Sequence, residues 1–567
     1  MIVDIGRETD LPLRIMNGEM LYRDVHYIYP PFSPYFNALL YWVFGPHLDT
    51  LAFSGIFFTM LLTFLCFRIA RKLMPASTAA IAVSFIILLC FFKPAGNMIL
   101  SYSFAGVHAA VFSLAAVLFT MNYAERRKRR DLVVAGIFIG LAVVTKQEFG
   151  FAAAVTVTAY LIYLHRLKFG ELLTDLAFAA IPAMAVAIPV FAVLFANIDA
   201  RTLIDDCHLF YTNIPESLVY YNRFRSGLNY PGGSFIQMVG ATALCVAIVA
   251  AIMFFSDRTG HLRPKLLRYF GISAVVVAVV LFFYISDWDG SPLRALPFFL
   301  VGVIILEWRA RSKAEADKPA SEESSPNPFL FIIAVYSIAI LFRVALRVPS
   351  GGFSGSFYLP TSLILTFYAL LHALPHAVKR LTGDESSFVR ARRITATICI
   401  IAVIATGVSF AVRFRTKYDH HIAARRGTLY ADRTSGAAID EAMRFIEANT
   451  EVGEFISVIP EGNDIAFMTG RRINFRHQVL IPGFLSQQDE LDAIAALKRD
   501  NVRFIFVPNR AMREFGYFEF GKDFYQTLGS YIEDNYEIVK VFGVSGDQQP
   551  VVGQLPFFIK AYKKKGA

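Results

Sequence analysis

The chain has 567 residues, 55% of them apolar, 14% aromatic and only 18% charged, and its mean hydropathy is +0.48. So much apolar surface excludes a protein that meets water on all sides and implies a chain that crosses a membrane many times. The net charge of +10 does not indicate nucleic acid, because the basic residues cluster in short loops between apolar runs, and the five cysteines, none in C-x-x-C spacing, indicate neither a disulfide framework nor a metal site.

The chain opens on a polar stretch, residues 3–31, VDIGRETDLPLRIMNGEMLYRDVHYIYPP, with carboxylates at Asp4, Glu8, Asp10, Glu19 and Asp24. Asp10 is expected to cap a short helix whose Leu11, Leu13, Ile15 and Met16 lie on the bilayer surface, with Asn17-Gly18 as its stop. Tyr22, Tyr27, Tyr29 and Tyr35 supply interfacial aromatics. Tyr29-Pro30-Pro31 breaks the chain before 32–44, an apolar run too short to span a bilayer, which ends at Gly45-Pro46. Residues 1–47 therefore read as an external loop with re-entrant or interfacial helices. The plainer alternative is an amphipathic anchor without chemistry.

Twelve apolar runs follow, near 49–67, 76–92, 101–123, 132–147, 149–164, 173–196, 234–255, 269–286, 291–306, 328–346, 356–377 and 394–412. The fourth and fifth are read as a hairpin, because one helix of that length would far exceed a hydrocarbon core of about 30 Å. Alternate loops hold 23 Lys and Arg against 8 in the intervening ones, so the first set is expected in the cytoplasm and the second outside. An even number of spans places the opening loop and the tail on the same, external side. The polar run 310–327 reads as a disordered cytoplasmic loop. Residues 48–413 form the transmembrane region, and 414–567 return to soluble patterning, with helices near 439–446, 490–498 and 524–532 and strands near 455–459, 503–507, 538–542 and 556–562. This predicts an external, periplasmic α/β domain, a lid or acceptor-docking module, on a polytopic helical protein of the inner membrane.

Charges at the outer ends of spans are functional candidates. They are Lys146-Gln147-Glu148 at the hairpin tip, Arg343 with Arg347, Asp287-Trp288-Asp289-Gly290 with Arg294, and Asp205, Asp206, His208, Arg223 and Arg225 in the loop 197–234. Together they describe an outer cavity with carboxylates to take a proton and cations for an anionic lipid head group. Each has a plainer reading. Arg343 and Arg347 snorkel to the interface, Asp287 and Asp289 cap a turn, and Lys146 and Glu148 pair with each other.

The residues Asp4-Ile5-Gly6-Arg7-Glu8, Asn17-Gly18, Leu21-Tyr22-Arg23-Asp24, Tyr29-Pro30-Pro31, Ala38 and Phe44-Gly45, with Val144-Thr145-Lys146-Gln147-Glu148 further on, resemble recurrent patches of the GT-C fold glycosyltransferases. The similar families are the protein mannosyltransferases and aminoarabinose transferases of glycosyltransferase family 39. The resemblance implies inverting transfer of a hexosyl or pentosyl group from a polyprenyl-phosphate sugar to a lipid, glycan or protein acceptor at the external face. Asp4 matches the catalytic carboxylate, and Arg7, Glu8, Tyr22, Asp24, Tyr29, Lys146, Glu148 and Arg294 are expected to bind substrate. It implies no metal, no other cofactor and no nucleic-acid partner. The chain departs from the family twice: a transmembrane helix is expected just before the catalytic carboxylate, and Tyr29 stands where relatives carry a lysine, so the phosphate contact falls to Lys146 or Arg294. Two other classes compete: a transporter or flippase of lipid-linked sugars, which matching halves with broken spans would favour, and a catalytically inactive relative that organises envelope assembly.

Overall fold

The computed structural model describes residues 2–92, 97–166, 168–207, 214–284, 291–316, 326–348, 355–544 and 550–566, with side chains from residue 5 onward in the first helix. The chain begins with α1 (Ile2–Met16) and α2 (Phe32–Phe44), then α3 (Leu48–Arg71), α4 (Ala76–Ile86, running on as a π turn to Phe91), α5 (Phe104–Arg126), α6 (Arg129–Val143), α7 (Gln147–His165) and α8 (Phe169–Asn197). Further helices include Pro231–Ser256, Arg263–Tyr284, Leu296–Ala316, Pro328–Leu341, Pro360–Tyr368 and Glu385–Lys417.

Each of the twelve apolar runs contains a helix, but among the described residues nine helices are long and apolar enough to cross a membrane. The differences fall at 76–92, where α4 is short, and at 132–147, where α6 has 15 residues, about 22 Å at 1.5 Å per residue. Near 291–306 a 3-10 turn, Pro292–Ala295, precedes the helix Leu296–Ala316. The hairpin is present. After Val143 the amides of Thr145 and Lys146 fold back onto the Ala142 carbonyl, and α7 starts at Gln147.

Almost every residue of α5 is buried, so it is the central post of the bundle. Against α8, α6 presents Gly136 and Gly140, one turn apart. A Cβ at Gly136 would lie 2.1 Å from the Ala179 carbonyl oxygen, and one at Gly140 2.6 Å from that of Ala183. Small residues at this spacing let two helix backbones touch where no water competes. α2 keeps Trp42, Phe44 and Leu39 exposed at 76%, 64% and 55%, as suits a helix whose outer side meets lipid.

The tail folds as α/β structure. β1 (His420–Ala424) and β2 (Gly427–Ala431) form an antiparallel hairpin, and β3 (Ser457–Val458), β4 (Phe504–Pro508), β5 (Tyr536–Phe542) and β6 (Ile559–Lys564) form a sheet in the order β3-β4-β6-β5, with only β3 and β4 parallel. Its helices are Arg433–Asn449, Asn463–Thr469, Gln487–Arg499 and Gln526–Asn535.

One expectation is corrected. Asp10 does not cap a helix but lies inside α1, and the expected bilayer-facing residues Leu11 and Leu13 are buried against protein. Leu11 packs with Leu194 of α8 and with Tyr22 and Tyr27, while Leu13 enters the core of the α/β tail. Gly6 permits the closest approach: a Cβ there would sit 2.7 Å from the backbone nitrogen of Asp464. α1 is thus a wedge between bundle and tail, because burying its apolar stripe on both sides removes more surface from water than lying on a membrane. The stop at Asn17-Gly18 is as expected, with Gly18 at φ +95°.

Candidate functional site

The site grows from the N-terminus of α5. Ser103 caps that helix by accepting from the Gly106 amide at 3.3 Å, and the Phe104 amide donates at 3.0 Å to Oε2 of Glu8 on α1. A carboxylate is favoured there by the helix dipole and the unpaired amides of a first turn. Oε1 of Glu8 accepts from Arg7 Nε and Nη2 at 3.3 and 3.1 Å, and Arg7 also donates to the Tyr102 carbonyl at 3.1 Å. Both oxygens of Glu8 are engaged, so this carboxylate is a clamp between α1 and α5.

Tyr29 joins this clamp to the hairpin tip. Its ring lies 5.8 Å from Cζ of Arg7 and 4.6 Å from Nζ of Lys146, so two cations share one ring. Tyr22 holds Tyr29 in place by donating its hydroxyl to the Tyr29 carbonyl at 2.6 Å, and the Phe32 amide donates to the Val144 carbonyl at 3.1 Å. Lys146 is only 3% exposed and also faces Phe149 and Phe357. Its charge is balanced by Glu148 at 3.3 Å, which in turn accepts from the Tyr358 hydroxyl at 3.1 Å and lies 3.5 Å from Arg343. Among the described residues, three cations, Arg7, Lys146 and Arg343, stand with two carboxylates, Glu8 and Glu148.

Of the residues singled out in the sequence, Arg7, Glu8, Tyr22, Tyr29, Lys146 and Glu148 come together here. Asp24 does not join them among the described contacts. It accepts from the Met20 amide at 2.8 Å and pairs with Arg23, whose hydrogen bond holds the carboxyl below its ordinary range. Arg294 is buried on the 3-10 turn and donates to Gln237 of helix Pro231–Ser256. Arg343 and Arg347 do not simply snorkel: Arg343 donates to Asn222 at 2.6 Å, and Arg347 to the Phe224 carbonyl at 3.3 Å. Lys146 and Glu148 do pair, as the plainer reading expected. The side chain of Asp4 lies outside the described residues, as do His208, Asp287 and Asp289; the Asp4 backbone stands one helical turn before Glu8 in α1. Most of the run 310–327 is likewise outside them. Among the described residues no group of three or more His, Cys, Asp or Glu is placed to hold a metal ion.

The α/β tail supplies groups that carry no motif. Gln478 donates to Asp10, Arg14 donates to the Phe475 carbonyl at 2.5 Å, and the His26 amide donates to the Arg476 carbonyl at 2.9 Å. Arg476 donates to the Tyr22 carbonyl at 2.7 Å and also pairs with Asp206, and the His477 ring lies 4.7 Å from that of His26. Burial raises the Asp10 carboxyl to about 6 against the opposing pull of Arg14 and Gln478, and raises Asp206 to about 6 against Arg476. Asp464, fully buried where α1 meets the tail, rises to about 7 by desolvation. The run 471–478 is polar without a catalytic pattern, so only three-dimensional contact reveals it.

Residues 29–195 match the family profile described as dolichyl-phosphate-mannose-protein mannosyltransferase. The chain also aligns with the Archaeoglobus fulgidus oligosaccharyltransferase tethered to an acceptor peptide containing the NVT sequon, at TM-score 0.50 and 14% identity, over 98% of this chain and 70% of that one. Its fold is that of the GT-C glycosyltransferases. A structure of the same archaeal enzyme in complex with Zn and sulfate aligns at TM-score 0.48 and 14% identity over 89% of this chain, which spans 64% of the length of that enzyme. ArnT from Cupriavidus metallidurans bound to undecaprenyl phosphate aligns at TM-score 0.42 and 14% identity, over 99% of this chain and 94% of that one. No curated protein sequence matches. The family-matched segment starts at Tyr29 and contains Lys146 and Glu148, while the α1 clamp lies just ahead of it.

Proposed function

We propose that the protein is an inverting glycosyltransferase that moves a sugar from a polyprenyl-phosphate donor to an acceptor hydroxyl or amide at the external face of the inner membrane. The observation that carries this reading is the meeting of Arg7 and Lys146 on the ring of Tyr29, which unites the opening loop with the hairpin tip at one end of the bundle. The matched family is named for a lipid-phosphate sugar donor, and cations such as Lys146 and Arg343 suit a lipid phosphate. Lys146 takes over the part of the family's lysine that Tyr29 replaces: its ammonium stands over the tyrosine ring itself. Arg343 is more exposed than Arg7 or Lys146, at 45% of its side chain against 14% and 3%.

In the reaction, Asp4 takes the proton of the acceptor as its oxygen or nitrogen bonds to the anomeric carbon. The bond from that carbon to the phosphate oxygen breaks on the opposite face, and the lipid phosphate leaves with the electron pair, its growing charge held by Lys146 and Arg343. Glu8, with both oxygens engaged, positions α1 instead of acting as the base. The tail holds the opening segment through Arg476 on the Tyr22 carbonyl and Gln478 on Asp10, and it is the surface on which an acceptor docks in this reading.

The test is Asp4→Asn in proteoliposomes with labelled donor. A base of this kind contributes roughly 10²–10⁴-fold to rate, so transfer should fall by that order while donor binding persists. Retained transfer would place the base elsewhere and contradict the assignment.

A further inference from the structure

A hollow lies on the α/β tail, apart from the cluster at Tyr29. The 3-10 turn Arg513–Phe515 ends at Gly516, whose φ of +84° suits glycine, and the chain runs on through Tyr517 and Phe518 to the helix Gln526–Asn535. Here a cavity of about 710 Å³ has Arg513, Tyr517, Phe518, Lys522, Asp523 and Gln526 in its walls. That size falls among small-molecule sites, which run from about 300 to about 1,000 Å³. All of these side chains but the half-buried Phe518 are exposed, so a ligand can reach them.

The walls are ordered by their own contacts. Tyr517 is 39% exposed, and its ring packs edge to face against buried Phe524 at 6.0 Å. Asp523 Oδ2 accepts from the Phe518 and Glu519 amides at 3.2 and 2.8 Å, which orients the carboxylate and leaves Oδ1 as an acceptor. Gln526 donates Nε2 to the Lys522 carbonyl at 2.5 Å, which leaves its amide oxygen as a second acceptor. Lys522 is matched by Glu519 at 3.0 Å. Arg513 has Cζ 4.9 Å from the Phe518 ring and, among the described residues, no carboxylate partner. The cavity therefore joins an aromatic plane, two acceptors and a guanidinium that only donates.

A pyranose carries the complementary pattern. Its C–H face is apolar and stacks on an aromatic ring, while each hydroxyl on its rim both donates and accepts. A purely apolar ligand would leave Asp523 and Arg513 without hydrogen bonds, and a bare phosphate would meet the Asp523 carboxylate and make no use of Tyr517. The same turn is tied to the candidate site. Phe515 is buried and stacks on Tyr221 of helix Glu216–Ser226 at 5.0 Å. The next residue of that helix, Asn222, accepts from Arg343 at 2.6 Å, and Arg343 stands 3.5 Å from Glu148.

We propose that this cavity is a saccharide-binding subsite and that the sugar it holds belongs to the acceptor, which makes the acceptor a glycan. The saccharide site stands on the cavity alone, whereas the acceptor role rests on the sugar-transfer reading.

Saturation-transfer NMR on the full chain in nanodiscs, with unlabelled disaccharides of neutral hexoses, N-acetylhexosamines and hexuronic acids, measures binding without turnover. At least one class should bind. Tyr517→Ala should weaken it at least about tenfold, Tyr517→Phe, which keeps the ring, should stay within about threefold, and Asp523→Asn should weaken it severalfold. The substituted side chains are exposed, so each variant should keep the wild-type thermal midpoint. In transfer assays Tyr517→Ala should raise the KM for the glycan acceptor and leave the KM for the lipid-linked donor near that of the wild type. Binding of no disaccharide, or binding that Tyr517→Ala leaves unchanged, overturns the proposal. Tyr517-dependent binding of an unglycosylated peptide pool, with no disaccharide bound, would assign the cavity to peptides and equally overturn it. A wild type that binds saccharide through Tyr517 but transfers no sugar would uphold the saccharide site and contradict the transfer reading instead.

Discussion

Replacing Lys146 with methionine isolates the cation at the centre of the site. The ammonium is 3% exposed, 3.3 Å from Glu148 and 4.6 Å from the Tyr29 ring. A desolvated cation–π contact contributes about 2 kcal/mol, and breaking a buried pair costs about 3–5 kcal/mol because the partner is left uncompensated. Here Arg343 stays 3.5 Å from Glu148 and Tyr358 still donates to it. The charge is therefore not abandoned, and a net loss of about 2–3 kcal/mol in stability is expected. The effect on turnover should be separable. One preorganised donor at a developing oxyanion contributes about 10²–10³-fold, or about 3–4 kcal/mol. Initial rates of labelled sugar transfer in proteoliposomes, normalised to folded protein by thermal unfolding, measure both. The double variant Lys146→Met with Glu148→Gln removes both charges, so it should recover much of the stability and none of the rate. A double variant that recovers transfer, or a single variant within threefold of wild type, would refute the role of Lys146 at the phosphate.

Gly6→Ala should lower stability by about 1–3 kcal/mol, because its Cβ would meet the backbone of Asn463 and Asp464 at 2.8 and 2.7 Å; chemical denaturation checks this, and a neutral result would mean that α1 does not dock as described. Asp464, raised to about 7 by burial, binds its proton more tightly folded than unfolded. Its contribution is therefore fully present below about pH 4, declines between about pH 4 and 7, and is absent above, with an upper size of roughly 4 kcal/mol. Asp464→Asn should raise the thermal midpoint at pH 8 and flatten that slope, and an unchanged profile would contradict it. Arg476→Ala loses the donors to Tyr22 and Asp206; it should weaken the hold of the tail on the opening loop, with limited proteolysis between residues 17 and 31 accelerating severalfold.

The membrane-spanning design was legible because apolar length is a one-dimensional property, and the hairpin at Lys146 was legible because its two arms together overrun a bilayer. Most helices and strands of the tail followed from their periods. α1 was misread because an apolar stripe has the same pattern whether it meets lipid or protein: Leu11 and Leu13 could not tell the two apart. The pairing of Asp10 with Gln478 spans most of the chain, and Gly136 and Gly140 are conspicuous only once α8 lies against them. At the candidate site the charged residues were visible, but the part played by Tyr29, a neutral ring shared by two cations, depends on geometry that no spacing encodes.

Sugar transfer from lipid phosphate is the proposed reaction. The direct measurement is the fate of label from a panel of polyprenyl-phosphate sugars, incubated with the wild-type chain in proteoliposomes and an envelope extract as acceptor. Label should leave the lipid for a new product of inverted anomeric configuration, and it should do so only with Asp4 intact. Donor that binds and crosses the bilayer unchanged, with no product under any condition, would contradict the account.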